Sequence, residues 1–298
     1  MPDLNLELAP SLVACLACPV CGAALAVSED RRSLACAGDI RVGSAGRRHL
    51  FDGGAGGYVP LSRHGGGGDS KEAVRARSAF LQFGYYAPAA QALAELVAAY
   101  TPRGGLVLDA GCGEGYYSGC IAREGYPTMG VDLSKFAVDA AAKAARAHRL
   151  ATGQPSSTLY AVGSVFELPV ADAAFHTLTN VFAPCAPAEY ARVLKPGGHL
   201  IVVGAGERHL LGLKELIYDD PYLNDPRRDL PPEGGALRPV DTRNLSFSIT
   251  VEDPAYIEAL FSMTPYYWRT SRDGHDRIRA ARRLETEVSF DFHVYRRE

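Results

Sequence analysis

The sequence predicts an α/β protein in which a mainly parallel sheet lies between helices, and three observations support this fold class. The apolar run Leu106–Leu108 ends in an acid followed by three alternating glycines, the pattern of a strand that turns into a helix beside a ligand. The apolar segment Thr128–Asp132 ends in a second carboxylate about twenty residues later. A Lys-Pro-Gly-Gly turn at 195–198 precedes the apolar run Leu200–Val203. Strands that alternate with helices in this way build parallel sheets.

The turn after the first strand contains Gly111, Gly113 and Gly115. Glycine has no Cβ and adopts positive φ without strain, so this backbone can come close to a ligand. A helix that begins at Tyr116 would direct its free N–H groups into the same gap. Phosphate-binding loops and simple tight turns use the same residues, so the turn alone does not identify the ligand.

The acid that ends the second strand narrows the class of ligand. Asp132 can accept hydrogen bonds from both hydroxyls of a ribose, a role that dinucleotide oxidoreductases also give to an acid here. Those enzymes have the glycine spacing G-x-G-x-x-G, whereas this chain has D-x-G-x-G-x-G from Asp109 to Gly115. Together with the later acid and the 195–198 turn, this spacing resembles the class I S-adenosylmethionine-dependent methyltransferases.

The resemblance implies a Rossmann-like class I methyltransferase fold, with a seven-stranded mixed sheet flanked by helices. It implies that the glycine loop holds the methionyl part of S-adenosylmethionine and that the second acid holds the ribose. Residues after the third predicted strand, Thr158–Val162, would bracket the adenine ring. The predicted cofactor site comprises Asp109, Gly111, Gly113, Gly115, Asp132, Ser164, Val165 and Phe166.

Composition fits an enzyme with one main domain and additions: 298 residues, 47% hydrophobic and 22% charged. The net charge of −3 gives no global attraction to nucleic acid, so a polyanionic partner would need local basic patches. Two such patches lie at Arg41–Arg48 and Arg272–Arg283, although charged runs are more often solvated surface. The sequence has no apolar run long enough to span a membrane and no basic-then-apolar leader. We therefore expect a cytoplasmic protein without a membrane partner.

Cysteine spacing near the N-terminus predicts a metal site. Cys18-Pro-Val-Cys21 forms a knuckle, and Cys36 and His49 could supply a second pair of ligands from a returning hairpin. Four protein ligands leave no open position, so a zinc ion here would be structural. Cys15 competes for one ligand position, and a set of buried free thiols is the alternative to a metal site.

The segment that carries these cysteines is too short to bury a core of its own, and a metal ion commonly stabilises such a lobe. Glycine-rich runs at 53–57 and 65–68 predict a loop and a connection to the rest of the chain. We therefore divide the chain into a zinc-binding lobe at 1–62, whose basic run at 41–48 would serve RNA recognition, and a methyltransferase domain at 63–298.

Two helices are predicted between the lobe and the glycine loop. The first covers Lys71–Phe83, with Asp69 or Ser70 as its N-cap. The second covers Pro88–Ala99 and leads to the first strand. In this fold the segment before the first strand lies over the cofactor pocket, so Tyr86 can touch the cofactor, although a lone tyrosine is also a common core residue.

Further motifs follow the cysteine knuckle in a fixed order. They are Asp69-Ser-Lys-Glu72, Ala76-Arg-Ser-Ala-Phe-Leu81, Gly84-Tyr-Tyr86, Asp109-Ala-Gly-Cys-Gly-Glu-Gly-Tyr-Tyr117, Asn180-Val-Phe-Ala-Pro-Cys185 and Met263-Thr-Pro-Tyr-Tyr-Trp268. This order resembles the bacterial 23S rRNA (guanine-N1)-methyltransferases over a span from about Cys18 to Tyr295.

The resemblance implies methylation of N1 of a guanine in a 23S rRNA hairpin by a homodimer that shares an RNA cleft. It implies a Cys3His zinc site and cofactor contacts by Tyr86, Gly113, Glu114 and His209. The chain departs from the family by a longer insertion, Ala37–Arg47, before the zinc-binding histidine. The insertion lengthens the spacing between Cys36 and His49, the second pair of predicted metal ligands.

The end of the fourth predicted strand, Phe175–Val181, is where open α/β sheets place ligand chemistry. Asn180 offers an amide oxygen to a base edge, Phe182 offers a stacking face, and Pro184 ends the loop. An ordinary strand end with a proline stop is the alternative. The proton on guanine N1 needs an acceptor. Asn180, the loop carbonyls, His209 and Asp172 all stay open as candidates.

Two later segments, Ser246–Val251 and Ser289–Tyr295, alternate as antiparallel strands. Aromatic residues and an arginine at 266–269 could stack on RNA or pack in the core. Two other functions stay open: a small-molecule methyltransferase of secondary metabolism, and a non-catalytic RNA-binding module that senses S-adenosylmethionine.

Overall fold

A computed structural model describes residues 8–37, 48–63 and 67–298. The helices are α1 (Pro10–Val13), α2 (Lys71–Phe83), α3 (Ala87–Tyr100), α4 (Tyr116–Arg123), α5 (Lys135–Thr152), α6 (Pro187–Val193), α7 (Leu211–Ile217), α8 (Pro254–Ser262) and α9 (Arg272–Ala280). The strands are β1 (Leu25–Val27), β2 (Ser33–Cys36), β3 (Leu50–Asp52), β4 (Val59–Pro60), β5 (Val107–Ala110), β6 (Thr128–Asp132), β7 (Thr158–Val162), β8 (Phe175–Val181), β9 (Leu194–Ala205), β10 (Leu237–Val251) and β11 (Leu284–Arg297).

The large sheet has the order β10-β11-β9-β8-β5-β6-β7-β4. Strands β4 to β9 run parallel, and β11 lies antiparallel between β9 and β10. The predicted α/β fold with a mixed, mainly parallel sheet is confirmed. The strand count differs, because the described residues form eight strands in this sheet rather than seven. The eighth is β4, which pairs with β7 through Val59 opposite Ala161.

Both faces of the parallel part of the sheet are buried, as parallel sheets require. Val107 of β5 packs in an apolar cluster with residues of α3, α7 and α8. Its neighbour Leu108 packs on the opposite face, in a cluster with residues of α6 and of the N-terminal segment. This alternation follows from the two-residue period of a strand. The parallel strands all end on the same side of the sheet, which is where open α/β sheets place their ligands.

The N-terminal segment is bonded to this sheet at several points. The backbone N–H of Ala17 donates to the Pro169 carbonyl at 3.0 Å, and that of Ala171 donates to the Cys15 carbonyl at 2.8 Å. Strand β4 also comes from residues that the sequence assigned to the lobe. The division at 62/63 stays a prediction, and any lobe that it defines is attached to the sheet rather than tethered by a free linker.

Local signals explain the helix boundaries near the site. Ser70 Oγ caps α2 by accepting from the Ala73 N–H at 3.2 Å, and Gly84 ends it in the left-handed conformation. Ser134 Oγ caps α5 in the same way through the Ala137 N–H at 3.3 Å. In the part of the chain that the structure describes, none of the helices combines the length and apolar character needed to cross a bilayer.

Candidate active site and metal centre

The glycine loop joins β5 to α4 with three residues at positive φ: Gly111 at 82°, Gly113 at 53° and Gly115 at 76°. A Cβ on Gly111 would lie 2.3 Å from the Cβ of Ala183, in the loop after β8. Glycine is therefore required here by the protein itself as well as by the space for a ligand. The close approach brings the predicted cofactor loop against the predicted substrate loop.

Asp132 lies at the end of β6 and orders the glycine loop. Its Oδ2 accepts from the Gly113 N–H at 3.0 Å, and its Oδ1 accepts from the Ser134 N–H at 2.7 Å. Burial raises the pKa of Asp132, and these two N–H groups oppose the rise. Each carboxylate oxygen keeps a second lone pair, so the acid can still accept ribose hydroxyls. The residues present thus fit S-adenosylmethionine at this position.

Asp109 is almost fully buried, at 1% exposure. It accepts hydrogen bonds from Ser118 Oγ at 2.5 Å and from Thr179 Oγ1 at 3.0 Å. Burial raises its pKa to about 6, and the two hydroxyls limit the rise. The carboxylate therefore braces β5 against α4 and β8. Its predicted contact with the cofactor stays a prediction.

Glu114 is tied to an arginine that the sequence pattern did not single out. Arg77 Nε donates to Glu114 Oε2 at 2.7 Å, and Arg77 Nη1 donates to Asp69 Oδ2 at 2.5 Å. The pair bridges 37 residues of sequence, so no local periodicity reveals it. The one sign of this ion pair in the sequence is that Arg77 belongs to the motif that begins at Ala76.

Asn180 is 1% exposed, and its recorded hydrogen bonds all use the amide nitrogen. Nδ2 donates to the Pro184 carbonyl at 3.2 Å and to Tyr190 Oη at 2.7 Å, with the Ala110 carbonyl at 3.5 Å. Tyr190 Oη in turn donates to the Pro184 carbonyl at 2.9 Å. Because carbonyl oxygens can only accept, these partners fix which end of the amide is nitrogen. No donor from the described residues reaches the amide oxygen, which can therefore accept a hydrogen bond from a ligand.

Phe182 stands beside Asn180 with its side chain half exposed and its backbone in the left-handed region, at φ 50°. An aromatic residue in this conformation is strained, and such strain persists where the surroundings enforce it. The ring lies 5.5 Å from the His209 ring and 5.4 Å from the Phe290 ring, centroid to centroid. One face of the ring thus remains available to a planar ligand.

His209 and Tyr86 lie next to each other behind Phe182. The family resemblance implies that both contact the cofactor. Their ring centroids are 6.2 Å apart, and both rings pack on Phe290. Tyr86 is 2% exposed, so it is chiefly a core residue, and its contact with the cofactor stays a prediction. The structure therefore brings together the predicted residues of the β8 loop, the glycine loop and the loop after β9.

His209 is held as a neutral ring. Its Nδ1 accepts from the Ser289 N–H at 3.2 Å, which places the ring proton on Nε2. Burial lowers the pKa of His209 to about 3. The ring can donate a hydrogen bond from Nε2, but it is not poised to take a proton from a substrate.

A buried lysine, also missed by the sequence pattern, orders the His209 loop. Lys214 Nζ donates to Asn224 Oδ1 at 2.7 Å and lies 4.4 Å from the centroid of the Tyr222 ring. Asn224 Nδ2 donates to the His209 carbonyl at 3.0 Å, while Tyr266 Oη donates to Asn224 Oδ1 at 3.0 Å. Burial lowers the pKa of Lys214 to about 8.

The aromatic cluster at 266–269 includes a buried and an exposed member, and stacking of the exposed ring on RNA stays a prediction. Tyr266 is a core residue at 7% exposure, whereas Trp268 projects into solvent at 85% exposure.

The predicted adenine-binding residues follow β7. Val165 is buried, and Phe166 presents 62% of its side chain to solvent. Ser164 Oγ accepts from the Phe166 N–H at 3.2 Å and fixes the turn. Leu133, directly after Asp132 on the neighbouring strand, is also exposed. These apolar side chains at adjacent strand ends suit a flat heterocycle, and Leu133 is one that the sequence argument did not name.

Asp172 is separated from this site. It precedes β8, whereas the site lies beyond the other end of that seven-residue strand, a distance of about 20 Å. Its carboxylate pairs with Arg192 Nη1 at 2.8 Å in solvent. Asp172 is therefore excluded as the acceptor of the guanine N1 proton.

The four predicted metal ligands converge. The ligand atoms of Cys18, Cys21, Cys36 and His49 all lie within 4.8 Å of one another. His49 Nδ1 is 3.5 Å from Cys18 Sγ and 3.6 Å from Cys36 Sγ. Tetrahedral zinc bonds of ordinary length would separate such atoms by about 3.5 Å. The donor set and its spacing therefore fit zinc.

The geometry also shows the position of the competing Cys15 and the effect of the insertion before His49. Cys15 Sγ donates to the Ser11 carbonyl at 3.3 Å and lies outside the converging group. The Cys36 N–H donates to the His49 carbonyl at 3.0 Å, so the hairpin closes despite the insertion between them. Residues 38–47 of that insertion, including Arg41 and Arg47, lie outside the described residues.

Residues 108–202 match the family model described as a methyltransferase domain. The chain is 35% identical over 214 residues to the 23S rRNA (guanine(748)-N(1))-methyltransferase of Streptomyces fradiae, covering 70% of this chain and 69% of that protein. It is 36% identical over 229 residues to a Micromonospora griseorubida protein that is provisionally named a 23S rRNA (guanine-N(1)-)-methyltransferase, covering 70% and 71%. A Bacillus subtilis protein with the same provisional name, YxjB, is 28% identical over 92% of this chain and 94% of its own length.

Proposed function

This chain belongs to the 23S rRNA (guanine-N1)-methyltransferase family, and we propose that it transfers a methyl group from S-adenosylmethionine to N1 of a guanine in a 23S rRNA hairpin. One observation carries the proposal: the glycine loop and the β8 loop are in contact, through Gly111 and Ala183. That contact brings a cofactor-type loop and a base-binding loop to the same edge of the sheet.

When bound, S-adenosylmethionine supplies an electrophilic methyl group, so that the N1–carbon bond forms as the sulfur–carbon bond breaks. The chain's part is to position the base and to exclude other reactions. Phe182 offers its exposed face for stacking on an extruded guanine. The fixed amide of Asn180 directs its oxygen toward the N–H groups on the edge of that base.

The N1 proton must leave as the methyl group arrives. Neutral His209 already carries its proton on Nε2 and does not accept another near neutral pH. The Pro184 carbonyl already accepts from Asn180 and Tyr190. Asn180 Oδ1 and the other carbonyls of the loop remain as acceptors that can guide the N1 proton to water before N1 attacks the methyl group.

The decisive experiment is transfer of labelled methyl from S-adenosylmethionine to unmodified 23S rRNA fragments, with mapping of the modified base. Label on guanine N1 of a hairpin fragment is the expected result. Label that enters small molecules of a cell extract but no rRNA would favour the small-molecule alternative. Cofactor and RNA binding without any transfer would favour the non-catalytic module.

Replacing Asp132 with alanine is expected to weaken S-adenosylmethionine binding at least about tenfold, because the ribose and two loop N–H groups lose a charged acceptor. Gly113→Val should act in the same direction, since a side chain there meets Arg77 at a positive φ. Calorimetry measures both, with exposed Asp273→Ala as the matched control. Unchanged affinity in the two loop variants would contradict the cofactor assignment.

The domain division belongs to the same proposal: residues 1–62 dock RNA, and residues 63–298 carry out the transfer. The segment between two metal ligands holds Arg41, Arg47 and Arg48, a local positive charge in a chain of net charge −3. An rRNA substrate also supports a cytoplasmic protein. The homodimer stays a prediction, which sedimentation velocity measures.

Changing Arg41, Arg47 and Arg48 together to alanine is expected to weaken RNA binding and to flatten its salt dependence, because fewer counterions are released. Cofactor affinity should not change. A variant with alanine at the exposed Arg75, Arg103 and Arg146 loses the same charge elsewhere and serves as the control. If RNA binding has the same salt dependence in both variants, the lobe has only a structural role.

A further inference from the structure

The segment 163–171, between β7 and β8, carries the predicted adenine contacts and is bonded to the chain just before the first metal ligand. The Ala17 N–H donates to the Pro169 carbonyl at 3.0 Å. Leu16 and Val170 form an antiparallel β-bridge beside this bond, and their side chains are 1% and 2% exposed. We call these four residues the joint. It fastens the adenine-binding segment to the N-terminal part of the chain.

The joint and the metal ligands belong to one apolar core. Cys18 and Cys36 are buried, and they lie in the same cluster as Leu16 of the joint. Val165, one of the predicted adenine contacts, lies in that cluster too. Close-packed interiors transmit the displacement of one side chain to its neighbours. The positions of the two cysteines therefore influence the position of Val165.

A second attachment of the same segment comes from residues that follow the last metal ligand. The Leu61 N–H donates to the Val162 carbonyl at 2.9 Å, directly before the segment begins. Arg63 Nη1 lies 2.8 Å from Glu167 Oε1, although both side chains are half exposed, so this ion pair alone contributes little to stability. Residues before the first metal ligand and after the last one thus both hold segment 163–171. A metal ion bound to all four ligands would link the two attachments.

We propose that the predicted metal centre positions the cofactor site: with zinc bound, the joint and the β4 attachment hold segment 163–171 in the alignment that the adenine ring requires. This inference rests on the proposed function, since it takes S-adenosylmethionine as the ligand. Arg192 of α6 also donates to the carbonyls of Leu168 and Val170, at 3.0 and 2.8 Å, so loss of zinc weakens adenine binding rather than abolishing it. Coupling between two binding sites is reciprocal, so cofactor binding strengthens zinc binding by the same factor.

The test measures the zinc affinity of the purified protein by competition with a colorimetric chelator, with and without saturating nucleoside. The nucleosides are S-adenosylhomocysteine and 5′-methylthioadenosine, which keeps the adenosine but lacks the amino-acid end. Each should raise the zinc affinity at least about fivefold, the lower end of ordinary coupling between sites. Calorimetry should show that protein depleted of zinc by the chelator binds each nucleoside more weakly by the same factor.

Val170→Ala trims the joint but keeps the metal ligands and the predicted adenine contacts. It should still bind zinc and nucleoside, and the coupling should fall to about twofold or less. Val97→Ala is the matched control, because Val97 is equally buried in the cluster on the opposite face of the sheet. It should keep the full coupling.

Full coupling in Val170→Ala would overturn the role of the joint. Loss of coupling in both variants would overturn it as well, because the coupling would then follow overall stability. Coupling with S-adenosylhomocysteine alone would exclude the adenine-binding segment as the link. If Val170→Ala does not fold, the wild type decides: a zinc affinity that neither bound nucleoside changes, or a protein without metal, overturns the proposal. A wild type that binds neither nucleoside would instead count against the proposed function itself.

Discussion

Asn180→Ala is expected to lower kcat for rRNA methylation by about a hundredfold, while cofactor and RNA affinities stay within about threefold. The substitution removes the free amide oxygen that would hold the guanine edge. It also leaves the Pro184 carbonyl with one donor fewer, which loosens the β8 loop. Single-turnover methyl transfer with saturating RNA measures the chemical step directly.

Controls separate the amide from general damage. Asn244→Ala makes the same change on exposed β10 and should keep full activity. Phe182→Gly removes the ring but relieves its left-handed strain, whereas Phe182→Ala removes the ring and keeps the strain. Both should lose turnover if the ring stacks on the base. Wild-type kcat in Asn180→Ala would remove the amide from the reaction.

Loss of a zinc ligand is the second large effect. The purified protein should carry about one zinc per chain, and Cys18→Ser should lose the metal and lower Tm by about 5–10 °C, because metal binding contributes directly to folding. The effect should extend beyond the lobe, since β4 and the backbone bonds at Ala17 and Ala171 attach this segment to the main sheet.

Elemental analysis and thermal unfolding measure this prediction. Cys15→Ser is the matched control, because its thiol lies in the same segment but outside the converging group. It should retain zinc and nearly the wild-type Tm. A wild type that is metal-free after preparation without chelator would identify the cysteines as buried thiols instead.

Elements with strong local signals could be predicted from the sequence to the residue. Helix α2 begins after the Ser70 cap and ends at Gly84, and β7 and β8 have the predicted bounds. Helix α7 begins only at Leu211, because Leu210 adopts a left-handed conformation that its residue type does not predict. Two residues of β4 are too few to show a period.

In the site as well, features that depend on local sequence were predictable, and features that depend on tertiary contacts were not. Glycine spacing predicted positive φ in the loop, and cysteine spacing predicted the converging ligands, because both depend on neighbours in sequence. The partners of Asn180, Arg77 and Lys214 depend on tertiary contacts instead. His209 emerged from family resemblance alone, and its neutral state follows from burial, which a sequence does not display.

The two-residue strand β4 also protects the protein from aggregation with other copies of the chain. A sheet edge offers unpaired N–H and C=O groups that can recruit a strand from another chain. Here β4 covers the edge of β7, and Pro60 has no N–H to extend the ladder outward. A shortened protein that begins at residue 63 would uncover β7 and expose a template for aggregation. Solubility at high concentration thus depends on a segment outside the loops that we assign to methyl transfer.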